Sequence, residues 1–195
     1  MTTSPLSDAD LIHAFRQGDE TAFEELVRRY QRAVSNVIYL TLGDRQEVED
    51  LTQEVFIRAY RSLSRFDENA KLYSWLYRIA VNLCIDEVRR KKIRKTISLN
   101  LMTESALERE RKSKDSHSPA TAELLKAENS DVILKALKKL SPAYRSALVL
   151  REYENMAYED IADSLGVSVQ AVKSRIFRAR QEMRELLKDY FEEKQ

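Results

Sequence analysis

Glycine and proline are scarce: three of each in 195 residues. Gly18, Gly43 and Gly166 stand far apart. A phosphate-cradling loop needs clustered glycines, so no nucleotide-burning motor is visible. Tight hairpins want Gly or Asn-Gly turns, which argues against an all-β fold. The single cysteine, Cys84, excludes an internal disulfide. With His13 and His117 it makes three Cys or His residues in all, short of the four ligands of a structural zinc site. No cofactor is expected. Apolar runs are short as well; the longest, Val37–Leu40 and Ala147–Leu150, have four residues, where a membrane helix needs about 20. The first residues show neither a basic n-region nor an apolar h-region. A cytoplasmic chain without membrane insertion is the expectation.

Charge is plentiful but balanced. There are 33 Lys and Arg against 32 Asp and Glu, for a net charge of +1. The total is therefore silent about nucleic acid, and only the distribution informs.

The aromatics divide the chain. Ten lie between Phe15 and Tyr77, six between Tyr144 and Phe191, and none in the gap. Inside the gap, Thr103–Thr121 is polar and charged, with Leu107 its one large apolar side chain. Such a stretch buries too little apolar area to offset the entropy of ordering it. The expected class is all-α: two small helical domains, 1–95 and 129–195, joined by a flexible linker over 96–128 with room for a short helix at Ala106–Lys114.

The first domain reads as four helices. Ser7 and Asp8 cap a short one with Leu11, Ile12 and Phe15, which Gly18 breaks. Phe23, Leu26, Val27, Tyr30, Val34, Val37 and Ile38 follow helical spacing, and Gly43 stands at the C-cap. Asp44 opens a third helix, with Val48, Leu51, Val55, Ala59 and Leu63 inward. The loop 64–70 leads to a fourth, over about 71–94. In the second domain Ser130 caps a helix, Ser141-Pro142 starts another, and Tyr158–Leu165, Gly166 and a Ser168-capped helix complete a helix-turn-helix.

Three surfaces carry chemistry. On the helix after Ser168, a rotation of 100° per residue puts Val172, Ile176, Ala179 and Met183 on the core side. Gln170, Lys173, Ser174 and Phe177 fall opposite, flanked by Arg175 and Arg178. Five cations against one anion lie between Lys173 and Arg184. Long polar donors on that face suit base edges in the major groove, flanking arginines suit phosphates, and Phe177 suits a thymine methyl. The plainer reading is a solvated helix face.

The second surface is the fourth helix of the first domain. Lys71, Trp75, Arg78, Asn82 and Arg89 form a stripe, preceded by Phe66 and followed by six positive charges in the seven residues 89–95, Arg90 among them. Charge with interleaved π-faces suits a single strand. Otherwise Trp75 and Tyr77 are core residues and the cationic run a frayed helix end. The third surface lies on the helix before it. Glu47, Glu49, Asp50 and Glu54 stand in its first half and Arg58 and Arg61 follow, with Phe56 and Tyr60 offset from the Val48, Leu51 and Val55 core stripe, a docking face for another protein's helix, although acid first and base last also suits the helix dipole.

Asp50–Tyr60 (DLTQEVFIRAY), Trp75–Asn82 (WLYRIAVN) and Tyr158–Ala179, in that order, resemble the bacterial extracytoplasmic-function, or group IV, sigma factors of the sigma-70 family. The resemblance implies a polymerase subunit rather than an enzyme. It implies that Asp50, Leu51, Gln53, Glu54 and Phe56 bind core RNA polymerase at the β′ clamp helices, with β a further contact. Phe66, Lys71, Trp75, Arg78, Asn82, Arg89 and Arg90 would recognise and help melt the minus-ten promoter DNA. Gln170, Lys173, Ser174, Arg175, Phe177 and Arg178 would read the minus-thirty-five element. An anti-sigma factor would mask both domains. The sequence departs from the family at Ser168–Val172, where many members have Pro-Val-Gly-Thr-Val, and at Leu72, where an aromatic is frequent. From the residues alone a stand-alone helix-turn-helix repressor, or a helical adaptor that binds only proteins, also stays open.

Overall fold

A computed structural model of the chain describes residues 6–101 and 124–192. All regular structure among them is helical: α1 (Asp8–Arg16), α2 (Glu20–Leu42), α3 (Val48–Leu63), α4 (Leu72–Leu101), α5 (Leu124–Lys139), α6 (Pro142–Glu152), α7 (Tyr158–Leu165) and α8 (Val169–Glu192). Most of the expected linker, its short helix and His117 lie outside the described residues.

Local chemistry explains the helix ends. Ser7 and Asp10 form a reciprocal capping box on α1. Gly43 ends α2 at φ 70° and Gly166 ends α7 at φ 62°, the left-handed conformation that glycine enters without strain. Ser141 Oγ accepts from Tyr144 N at 3.3 Å, with Pro142 in the first turn. Ser168 Oγ accepts from Ala171 N at 3.2 Å.

Three expected boundaries are corrected. α3 starts at Val48, not Asp44, because the Asp44 carboxylate accepts from Gln46 N at 3.1 Å and closes a turn of its own. α4 runs to Leu101, since residues 95–101 hold no glycine or proline. α5 begins at Leu124, so Ser130 lies within the helix and not at its start; Leu-Leu-Lys-Ala-Glu are strong helix formers that carry the helix into it.

In the first half α2, α3 and α4 pack on one another, with α1 across α2. Val34, Val37, Ile38, Val55, Leu63, Leu76 and Val81 are buried between them. Asp8 ties α1 to α2 through Arg29 and Tyr30. In the second half Leu148, Leu150, Ile161, Val172, Ile176 and Ala179 fill the space among α6, α7 and α8. The halves are not apart. α7 lies against α4, and α5 and α6 lie against α2, so the apolar core is continuous from one to the other.

Candidate nucleic-acid interface

α8 presents its donors outward as its periodicity requires. Its apolar stripe is anchored on α6 and α7, so Gln170, Lys173, Ser174, Phe177 and Arg178 are exposed and Arg175 is half-buried. Phe177 is the most exposed large apolar side chain of the described residues, at 62 %. Arg178 Nη1 donates to Tyr144 Oη at 3.2 Å, and Lys173 Nζ lies 5.9 Å from the Tyr158 ring centroid. Arg180 is held by Glu152 at 2.6 Å. The face is open, convex and cationic, with hydrogen-bond donors around one aromatic ring. That is what a helix lying in a major groove requires.

The α4 stripe is arranged differently. Leu72, Leu76 and Leu83 are buried on its inner side. Trp75 is half-buried against Phe66, with ring centroids 5.1 Å apart. Phe66 itself is 6 % exposed, and its carbonyl accepts from Arg16. It therefore supports Trp75 from below instead of standing at the surface. Asn82, Arg89 and Arg90 are exposed, but Arg90 bonds the buried Glu87 and Arg89 lies 3.8 Å from Asp86. Lys91 bridges Asp44 and Glu47 at 2.8 and 3.0 Å; its hydrogen bond is the main reason the Asp44 carboxyl sits below the usual range.

The two cations at the start of α4 face the second half. Lys71 Nζ lies 2.7 Å from Asp160 Oδ1, and Tyr73 Oη donates to Asp160 Oδ2 at 2.6 Å. The Arg78 guanidinium donates to the Asp163 carbonyl, its Nε at 2.8 Å. Burial pushes the Asp160 carboxyl up, but the bonds from Lys71 and Tyr73 outweigh it and hold the group below its ordinary value. Sequence reasoning singled out Lys71 and Arg78 but missed Asp160 and Asp163. An acid in a short helix carries no mark of its distant partner.

On α3, Asp50 and Gln53 are exposed and Glu54 is half-buried, paired with Arg58 at 2.6 Å. Leu51 and Phe56 are buried. Phe56 is thus part of the core and not offset from it. The exposed apolar side chains of this surface are Ile57 and Tyr60. Tyr60 closes an aromatic cluster with Phe15 and Phe23 at 5.2 and 5.1 Å, and a regular α-helical wheel centred on Val55 would have found Ile57.

Two family models match. Sigma-70 region 2 matches residues 26–93 and covers α3 and the stripe of α4. The region 4 model of sigma-70 matches residues 130–183 and covers the helix-turn-helix. This chain belongs to the extracytoplasmic-function sigma factors of the sigma-70 family. Over 176 residues it is 38% identical to the RNA polymerase sigma-H factor of Pseudomonas aeruginosa, covering 89% of this chain and 90% of that one. It is 35% identical over 179 residues to the sigma factor SigW of Bacillus subtilis (91% and 95% covered). The same identity and length relate it to the sigma-E factor of Escherichia coli K12 (90% and 92%). Among solved structures, CnrH in complex with the cytosolic domain of CnrY is similar with a TM-score of 0.69 and 26% identity, covering 93% of this chain and 97% of that one. The sigma factor RpoE of Bartonella quintana, bound to the anti-sigma factor NepR, gives 0.66 and 25%, with 85% and 96% covered. The repressor and adaptor readings therefore give way to a sigma factor.

Proposed function

We propose that this sigma factor is a group IV member, a dissociable and non-catalytic subunit that works in the cytoplasm. Its two helical domains, 1–95 and 129–195, grip different promoter segments while core RNA polymerase holds the duplex. α8 reads the minus-thirty-five element through Gln170, Lys173, Ser174, Arg175, Phe177 and Arg178. α4 takes the minus-ten strand with Lys71, Trp75, Arg78 and Asn82, while Arg89 and Arg90 follow phosphates and Phe66 braces Trp75. Asp50, Gln53 and Glu54 contact the polymerase β′ clamp helices on a surface that Leu51 and Phe56 hold from beneath, with β a second contact. An anti-sigma factor is a further partner.

The observation that carries this reading is the open α8 face, on which Phe177 stands 62 % exposed among the cations. The magnitudes fit a passive role. Unpairing a base costs a few kcal/mol, and stacking on an aromatic returns about 1–3 kcal/mol per base. Binding energy shared with a large partner therefore suffices without nucleotide hydrolysis. The test is run-off transcription with purified core polymerase on promoters of the protein's own genome. Asn82→Ala should harm promoter opening more than polymerase binding, and Glu54→Ala the reverse. Failure to initiate at every promoter, with tight operator binding in the absence of polymerase, would return the protein to the repressor class.

A further inference from the structure

α6 holds two of the exposed cations of α8, and it holds them by opposite means. At its C-terminal end the Glu152 carboxylate accepts from Arg180 Nη2 at 2.6 Å and from Nε at 3.0 Å. In its first turn Tyr144 Oη accepts from Arg178 Nη1 at 3.2 Å. Glu152 is an anion and offsets the charge it binds. Tyr144 is a phenol, uncharged near neutral pH, and leaves the charge of Arg178 in place. We propose that Tyr144 is a positioning residue of the α8 reading face: it fixes the direction of Arg178 without neutralising it, so that the guanidinium meets the minus-thirty-five duplex already aimed. The role rests on the promoter-reading function proposed above and adds to it a residue outside the recognition helix.

Tyr144 is built as a firm post. Its backbone N–H donates to the Ser141 cap at 3.3 Å. The next residue, the buried Arg145, ties the same turn to the carbonyls of Thr41, Lys138 and Leu140. The Tyr144 ring is half-buried against the apolar core, and a tyrosine has only two side-chain torsions to fix. Arginine is the opposite case: long, with much rotamer freedom, which it loses when a ligand immobilises it. A hydrogen bond made beforehand removes part of that loss. The contact also spends little. A guanidinium has five N–H donors, and Nη1 gives one to Tyr144. The edge formed by Nε and Nη2 keeps two parallel donors, the pattern that engages two acceptors on one base. Glu182, one turn further along, attracts Arg178 only through space; the hydrogen bond goes to the phenol. Arg178 stands beside Phe177 and one turn beyond Ser174, both exposed, so it belongs to the same outward side.

The test uses the full chain with core polymerase and a library of promoter duplexes whose minus-thirty-five segment is randomised. Bound members are sequenced. The unaltered chain should enrich a consensus. Tyr144→Phe, which removes only the hydroxyl, should weaken the preference about two- to tenfold at the one or two adjacent positions that Arg178 reads, the scale of an ordering cost no longer met in advance. Arg178→Ala should relax the same positions, and adding Tyr144→Phe to it should change nothing more. Binding to duplexes without the consensus, and its salt dependence, should be the same for Tyr144→Phe as for the unaltered chain, because the guanidinium keeps its charge. A merely structural role would instead weaken every position alike. That uniform loss, an unchanged consensus, relaxation at positions Arg178→Ala leaves sharp, or additive effects of the two substitutions would each overturn the positioning role alone. Failure of the sigma reading looks different: the unaltered chain itself would enrich no consensus, and the role of Tyr144 would fall with it.

Discussion

α4 and α8 are two long helices with the same inventory on their outer sides: lysine, arginine, a polar side chain and one aromatic ring. Their surroundings set them apart. α8 rests on α5, α6 and α7 by one side, and on its other side Gln170, Lys173, Ser174 and Phe177 are exposed. α4 is held by α2 and α3 on one side and covered by α7 at its start. Phe177 consequently stands 62 % exposed, whereas Trp75 leans half-buried on Phe66. Similar composition thus gives one helix with an open outer side and one whose first turns are tied to a neighbour.

The largest effect that sharpens this contrast is on stability. Phe66→Ala, in the packed floor of the α4 stripe, should cost about 3–5 kcal/mol in urea unfolding, while Phe177→Ala should stay within about 0.5 kcal/mol. Equal costs would erase the distinction between the two rings. Next comes Arg145→Met. Arg145 donates to the carbonyls of Thr41, Lys138 and Leu140, so its loss should cost about 1–3 kcal/mol and increase the radius of gyration of the free chain in solution scattering. A smaller effect separates the two left-handed caps. Gly166→Ala meets no atom within 4 Å, so it should cost about 1–2 kcal/mol from backbone strain alone. A Cβ at Gly43 would also stand 2.7 Å from Lys138 Cγ, so Gly43→Ala should cost more and disturb the meeting of α2 with α5.

The smallest expected effect is that of pH. The Asp160 carboxyl is lowered in the folded chain. Its contribution is complete above its unfolded value, about 3.9, and lost as pH falls through the lower folded value. Lys71 is raised, chiefly by its hydrogen bond to Asp160. Its contribution is complete below about 10.4 and lost as pH rises through the higher folded value. Between about pH 5 and 9 the contact should therefore be flat, and scattering curves across that range should superimpose. A change of shape near neutrality would point to a different contact.

Helix content, the αL caps and the outward side of α8 were legible because they depend on neighbours three or four residues away. The sites that misled were those decided by distant chain. Phe56 was placed off the core stripe, yet it is buried in the core beside Leu51 and Val55. Phe66 sits in a polar loop and looks available, yet Trp75 and Arg16 draw it inward. Asp160 and Asp163 went unread because nothing within a helical turn of Lys71 and Arg78 signals that they lie opposite. The aromatic gap marked a linker but could not show that the halves it joins meet face to face.

A consequence follows for ionic strength. By screening, dissolved salt loosens the Lys71–Asp160 pair; on the function proposed above it also competes with DNA for the cations of α4. On that function, one influence drives strands off the helix and the other frees Lys71 to hold them. The two partly cancel, so the free chain should hold single strands with a flatter salt dependence than its number of phosphate contacts implies, and Asp160→Asn should restore the steeper slope. The near-neutral charge of the whole molecule thus conceals an internal counterion, supplied by the chain itself.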